Sequence, residues 1–151
     1  MAVNTGDVAP DFELKDQHGA TIKLSDYRGR AVLVMFVPFA FTGICTGEIC
    51  DMRDAGTDFV NDAVQVLGIT CDSMFSLKEW AAREGIDYPM LSDFWPHGAT
   101  ARAYGVFDEQ RGCALRGTFL VDAEGVVRWS VVNQLGDARS LDDYRAALAA
   151  L

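Results

Sequence analysis

The stretch of this chain best suited to chemistry is Pro38-Phe39-Ala40-Phe41-Thr42-Gly43-Ile44-Cys45. An unbroken apolar run, Ala31 to Val37, precedes it, and a segment with helical periodicity follows. That order places a single thiol in the first turn of a helix, just past the end of a buried strand. Backbone N–H groups in a first helical turn have no acceptor within the helix, and the helix dipole is positive there. Both features favour a sulfur anion over a thiol. Thr42 is the expected N-cap, which makes Cys45 the third helical residue. The chemistry that follows is nucleophilic attack by sulfur. Ionisation alone does not make such a site fast. At pH 7 complete ionisation raises the thiolate fraction of an ordinary thiol only about 30-fold, and a less basic thiolate is a poorer nucleophile. A cation near the sulfur is needed as well.

The elements that must position these groups can be read from periodicity. Phe12 to Leu14 and Thr21 to Leu24 predict two short strands around an Asp16-Gln17-His18-Gly19 turn. Ala31 to Val37 is apolar on both faces, as a central parallel strand is. Gly43 to about Asn61 predicts a helix, with Ile49, Met52, Phe59 and Val60 on one side and Asp51, Asp54, Asp58 and Asp62 toward the other. Val64 to Cys71 is the next buried strand. Ser76 to Glu84 and Ala99 to Tyr104 predict helices. Gly117 to Val121 and Val126 to Val132 form a hairpin across Asp122-Ala123-Glu124-Gly125. Ser140 opens the last helix, with Asp143 at the acidic position of a capping box. The order predicts helices on both faces of a mixed sheet.

Composition narrows the function. The 151 residues are 50% hydrophobic, enough for one domain over residues 1–151 with a substantial core. A formal charge of −9, from 13 basic and 22 acidic residues, argues against a nucleic-acid partner. The longest apolar run, Ala31 to Phe41, is about half of a membrane span. The start, Met1-Ala2-Val3-Asn4-Thr5-Gly6-Asp7, lacks the basic-then-apolar pattern of a secretion signal, so a cytoplasmic protein is expected. Four cysteines in that compartment are expected to be catalytic or buried rather than permanently bridged.

Pro38-x3-Thr42-x2-Cys45 resembles the signature of the peroxiredoxins, thiol peroxidases of the thioredoxin-like fold. The resemblance spans nearly the whole chain. Ala9-Pro10-Asp11-Phe12 is similar to their N-terminal entry. Leu91-Ser92-Asp93 and Ala103-Tyr104-Gly105-Val106 are similar to their mid-chain segments. Arg116-Gly117-Thr118-Phe119-Leu120-Val121-Asp122 is similar to the strand that supplies their active-site arginine. Asp93-Phe94-Trp95-Pro96-His97-Gly98 is most similar to the alkyl hydroperoxide reductase E group. The resemblance implies a thioredoxin-like α/β/α sandwich with a central mixed sheet and a homodimer. It implies a cofactor-free enzyme that reduces hydrogen peroxide and organic hydroperoxides. Cys45 would attack the terminal peroxide oxygen and become a sulfenic acid. Thr42 and Arg116 would orient the peroxide and stabilise the departing oxygen, and Pro38 would shape the pocket and shield the sulfur. Reducing equivalents would come from a small thiol or a thioredoxin- or glutaredoxin-like protein. Glu48 lies one turn after Cys45, where an unmatched carboxylate would disfavour the sulfur anion. The resemblance implies that Glu48 pairs with arginine, and Arg116 and Arg139 fit.

A second cysteine complicates the pattern. Cys45-x4-Cys50 resembles the spacing of Q-type peroxiredoxins, in which the second cysteine resolves the sulfenic acid. Residues five apart on an intact helix have Cα atoms about 8.6 Å apart. A disulfide tolerates little beyond ~7 Å, so closing Cys45–Cys50 requires the first helical turns to unwind. Gly43 and Gly47 lower that cost. Cys50 is therefore the resolving candidate, with an external thiol as the alternative. Cys113, in a Gln110-Arg111-Gly112-Cys113 turn expected to be exposed, is a weaker candidate. Cys71 closes a buried strand and is expected to be structural. His97 reads as a surface or interface histidine after a turn rather than a partner of Cys45. Three rival functions can be set against this reading. A structural zinc protein would need a second close ligand pair, which is absent, and no metal is expected. A thioredoxin-like disulfide reductase would need Cys-x-x-Cys at the helix start, also absent. A non-enzymatic redox sensor or holdase could use the same thiol without turnover.

Overall fold

The computed structural model describes residues 3–151. Met1 and Ala2, part of the N-terminal stretch read above for a leader, lie outside the described residues. In chain order the elements are β1 (Glu13–Lys15), β2 (Thr21–Lys23), β3 (Ala31–Phe36), α1 (Gly43–Ala55), β4 (Val64–Thr70), α2 (Met74–Glu84), β5 (Met90–Ser92), α3 (Ala99–Ala103), β6 (Phe107–Asp108), β7 (Cys113–Ala114), β8 (Arg116–Val121), β9 (Val127–Asn133) and α4 (Leu141–Ala149).

β3 is buried along its whole length, and its side chains alternate between two cores. Leu33 and Met35, with Val37 just beyond, enter one core; Val32, Val34 and Phe36 enter the other. This division is why the run carries no polar position. β4 lies parallel to β3, from Ala31 opposite Val64 to Phe36 opposite Ile69. β5 adds in parallel to β4, while β8 pairs antiparallel on the other side of β3. The result is a mixed seven-stranded sheet in the order β2-β1-β5-β4-β3-β8-β9, with β6 and β7 as a separate ribbon. One face is covered by α1, α2 and α4 through Ile49, Met52, Leu77, Trp80 and Tyr144. The other is covered by α3, the ribbon and the N-terminal segment through Ala101, Ala114, Ala9 and Phe12. Gly68 of β4 makes room for Met90, because a Cβ there would stand 2.6 Å from the methionine sulfur.

Several elements differ from their sequence expectation. α1 stops at Ala55, not near Asn61, because Gly56 adopts φ 55° and leads into a short 3-10 turn through Asp58. α2 starts at Met74, two residues early, because Ser73 caps it by accepting the Ser76 N–H at 3.2 Å. Ser140 precedes α4, but its side chain makes no capping hydrogen bond, so the expected capping box does not form. Cys113 is not in an exposed turn. It belongs to β7, opposite Asp108, and is fully buried. No helix among the described residues is long and apolar enough to cross a membrane.

Candidate active site

β3 and β4 are parallel, so the segments leaving their C-terminal ends emerge side by side. One of them, Pro38–Thr42, turns from β3 into α1. Pro38 is buried and supplies no N–H donor. Phe41 has φ 68°, the one positive value outside glycine among the described residues. Its ring lies 6.2 Å from that of Trp80 and beneath the Arg83 guanidinium at 5.2 Å.

Thr42 holds the N-cap position with extended backbone, but its hydroxyl does not cap the helix. It donates instead to the Phe39 carbonyl at 2.8 Å. The expected capping role is therefore corrected: the proton is held by the loop, and the oxygen keeps its lone pairs for another partner.

Cys45 is the third residue of α1 and is 1% exposed. Its Sγ lies 3.3 Å from Nη1 of Arg116, the first residue of β8. The same Nη1 donates to Glu48 Oε1 at 2.6 Å, and Arg116 Nε donates to the Leu135 carbonyl at 2.7 Å. Glu48, one turn beyond Cys45, also accepts from Arg139: Nη2 to Oε1 at 2.7 Å, Nε to Oε2 at 2.8 Å, and the backbone N–H to Oε2 at 2.9 Å. Arg139 Nη1 donates to the Phe36 and Gly117 carbonyls at 2.6 and 2.9 Å, tying the cluster to β3 and β8. Its contact with Thr118 Oγ1 at 3.2 Å continues to the Tyr144 hydroxyl at 2.7 Å.

Burial pushes the Glu48 carboxyl up, but the hydrogen bonds and charge of Arg139, aided by Arg116, outweigh it and hold the group below its ordinary value. Two buried guanidiniums thus face one buried carboxylate, and the unmatched positive charge points at the Cys45 sulfur. Buried charge of this kind calls for a counter-charge.

All four cysteines are free thiols. Cys50 is half-buried on α1, and its thiol donates to Glu84 Oε1 at 3.6 Å. Burial raises its pKa, Arg53 opposes that, and Glu84 adds to it. Burial likewise pushes Cys71 up to about 12 and Cys113 up to about 11. His97 is engaged elsewhere, its Nε2 2.7 Å from the Gly112 carbonyl and its ring between Phe94 and Phe107. No group of three or more His, Cys, Asp or Glu among the described residues is placed to hold a metal.

Sequence reasoning missed Asp72, whose Oδ2 accepts the Ala40 N–H at 2.9 Å. A signal for it existed. The parallel register pairs Phe36 with Ile69, so continuing it sets residue 72 beside the Phe39–Ala40 segment. Thr118, Tyr144 and the Leu135 carbonyl, which support the arginines, carried no sequence signal.

A buried thiol in the first turn of α1, a buried arginine on an adjoining strand, and this sheet order together define a class, and the comparisons agree with it. Residues 5–130 match the AhpC/TSA family. The chain belongs to that family, and it is a thiol-dependent peroxidase with the thioredoxin-like fold of the peroxiredoxins. Alkyl hydroperoxide reductase E of Mycobacterium tuberculosis is 47% identical over 150 residues, covering 99% of this chain and 98% of its own. The chloroplastic 2-Cys peroxiredoxin BAS1 of Spinacia oleracea is 37% identical, covering 97% of this chain and 58% of its own. Among solved structures, AhpC of Enterococcus faecalis superposes with a TM-score of 0.89 at 30% identity, covering 99% of this chain and 92% of its own. Peroxidoxin BcpB of Mycobacterium tuberculosis does so at 0.86 and 31% identity, covering 97% of each chain.

Proposed function

We propose that Cys45 is the thiolate that reduces peroxide, and that Thr42, Arg116 and Pro38 surround the O–O bond it cleaves. One observation carries this reading: Arg116 Nη1 lies 3.3 Å from Cys45 Sγ and 2.6 Å from Glu48 within a buried cluster. With the sulfur anionic, two guanidiniums meet two anions; with a neutral thiol, a positive charge stays buried and unmatched. Attack on the terminal oxygen of a hydroperoxide forms an S–O bond and breaks the O–O bond. The other oxygen, which carries the alkyl group in an organic hydroperoxide, leaves as alkoxide, or as hydroxide for hydrogen peroxide, and takes a proton from water. Sulfur is oxidised by two electrons to the sulfenic acid, and the peroxide is reduced by the same two. Arg116 stabilises negative charge as it moves from sulfur to the departing oxygen. The Thr42 oxygen accepts the hydroperoxide O–H, since its own proton is committed to Phe39. Pro38 walls the sulfur without offering a competing donor. Glu48 and Arg139 hold Arg116 in place.

Cys50 is the resolving thiol in this reading. Its sulfur attacks the sulfenic sulfur, an S–S bond forms and water leaves. The first turns of α1 must unwind for this, since an intact helix holds the two Cα atoms about 8.6 Å apart. Cys113 and Cys71 are both buried, so either would need local opening before it could serve as the resolving thiol. A small thiol or a thioredoxin- or glutaredoxin-like protein then reduces the disulfide. The two cores, one drawing on residues from Ala31 to Ala147 and the other from Ala9 to Val127, overlap along the chain and share one sheet, which supports one domain over residues 1–151. Phe75 at 74% and Trp95 at 81% exposure are apolar surface that supports a homodimer. Four free thiols support a reducing, cytoplasmic setting.

The test is steady-state turnover of hydrogen peroxide and an alkyl hydroperoxide by wild type and Cys45→Ser, with peptide mapping of the peroxide-treated wild type. Cys45→Ser is expected to lose all turnover, and mapping to find a Cys45–Cys50 disulfide. Retained turnover would move the nucleophile elsewhere. Only sulfenic or sulfinic acid at Cys45 would hand resolution to an external thiol.

A further inference from the structure

We propose that Asp72 is a positioning residue for peroxide reduction, acting through one peptide plane on the Thr42 hydroxyl. The inference rests on the role given to Thr42 above. The Phe39 carbonyl and the Ala40 N–H belong to the same peptide unit. That unit is held at both ends: the carbonyl accepts the Thr42 hydroxyl at 2.8 Å, and the N–H donates to Asp72 Oδ2 at 2.9 Å. Fixing the N–H fixes the plane, which fixes where the carbonyl points. The carbonyl in turn decides where the Thr42 proton goes. With the proton on Phe39, the lone pairs of Thr42 are left to accept the hydroperoxide O–H.

Asp72 is itself anchored independently of its side chain. Its N–H donates to Thr70 Oγ1 at 3.0 Å, and its carbonyl accepts the Ser92 hydroxyl at 2.7 Å. Its carboxylate is therefore presented from a fixed point on the end of β4. The restraint acts beside Phe41, whose φ of 68° is a conformation that persists only where the surroundings enforce it. Without Asp72 the Phe39–Ala40 peptide is free to rotate. The Thr42 proton then loses its acceptor and can enter the pocket, where it competes for the sulfur and the peroxide oxygens.

The test is the second-order rate constant for Cys45 oxidation by hydrogen peroxide, measured by stopped flow in Asp72→Ala, Asp72→Asn, Thr42→Val and the Asp72→Ala/Thr42→Val double variant, with melting curves alongside. Asp72→Ala is expected to slow oxidation about tenfold, the equivalent of one modest hydrogen bond. Asp72→Asn is expected to recover most of that rate, because its amide oxygen still accepts from Ala40. In the Thr42→Val background, Asp72→Ala is expected to add less than about twofold, since the group it positions is gone. Should Asp72→Ala fail to fold, Asp72→Leu, similar in shape but without an acceptor, carries the same comparison. A full-rate Asp72→Ala, an equal loss in both backgrounds, or an Asp72→Asn as slow as Asp72→Ala would each overturn the inference. A full-rate Thr42→Val would refute the role of Thr42 itself and this inference with it. A slow Thr42→Val beside a fast Asp72→Ala would refute this inference alone.

Discussion

Replacing Glu48 with glutamine removes one charge and almost no volume from the centre of the buried cluster. The Glu48 side chain is 5% exposed, Arg116 is 4% and Arg139 is 1%, so water cannot take over for the lost carboxylate. Breaking a buried ion pair by neutralising one partner costs about 3–5 kcal/mol. The amide oxygen of glutamine still accepts from one guanidinium, which places the expected loss near the lower end, about 3 kcal/mol. In a chain of this size each kcal/mol moves the melting temperature by about 2–4 °C, so Glu48→Gln is expected to melt roughly 6–12 °C below wild type at neutral pH. The pH dependence follows from the direction of the Glu48 shift. Its folded carboxyl lies below the ordinary value of 4.5. The stability it contributes is therefore complete above that value and is lost as pH falls from there toward the folded value. Other carboxylates titrate in wild type and variant alike, so the difference between the two melting temperatures isolates Glu48. That difference is expected to be constant from neutral pH down to the ordinary Glu value and to narrow below it. Calorimetry across this range is the assay. Equal stability at neutral pH, or a gap that does not close in acid, would refute the cluster as described.

Arg116→Lys is expected to slow Cys45 oxidation at least about 100-fold in stopped flow, since an ammonium cannot hold the Leu135 carbonyl, Glu48 and the sulfur together as the planar fork does. A loss under about tenfold would mean that charge alone suffices. Cys71 and Cys113 are expected to resist alkylation in the native protein and to react on unfolding, because both are buried and their thiols are pushed up to about 12 and about 11. Native labelling of Cys113 as fast as that of Cys50 would contradict its place in β7.

The local part of this site was legible in the sequence. Pro38 to Cys45 lies between a run apolar on both faces and a periodic helix, and near-neighbour rules place it. The long-range part was not legible from spacing. Arg116 meets Cys45 across 71 residues, and Arg139 meets Glu48 across 91. Only the family resemblance pointed to those partners. β5, of three residues, and the ribbon strands β6 and β7, of two each, are too short to show a period. That is why Cys113 read as part of a turn. Thr42 occupies the expected cap position, but the destination of its hydroxyl depends on how the Phe39–Ala40 peptide is turned, and that depends on Asp72. The fold and the place of Cys45 at the start of α1 are thus set by local pattern, whereas the orientation of the donors is set by tertiary contacts that leave little trace in composition.

The most direct measurement is to give Cys50→Ser one equivalent of hydrogen peroxide in the presence of a sulfenic-acid trap and to map the label by mass spectrometry. Label at Cys45 alone, forming as fast as peroxide disappears, is the expected result. Label at Cys71 or Cys113, or peroxide consumed with Cys45 unmodified, would contradict it.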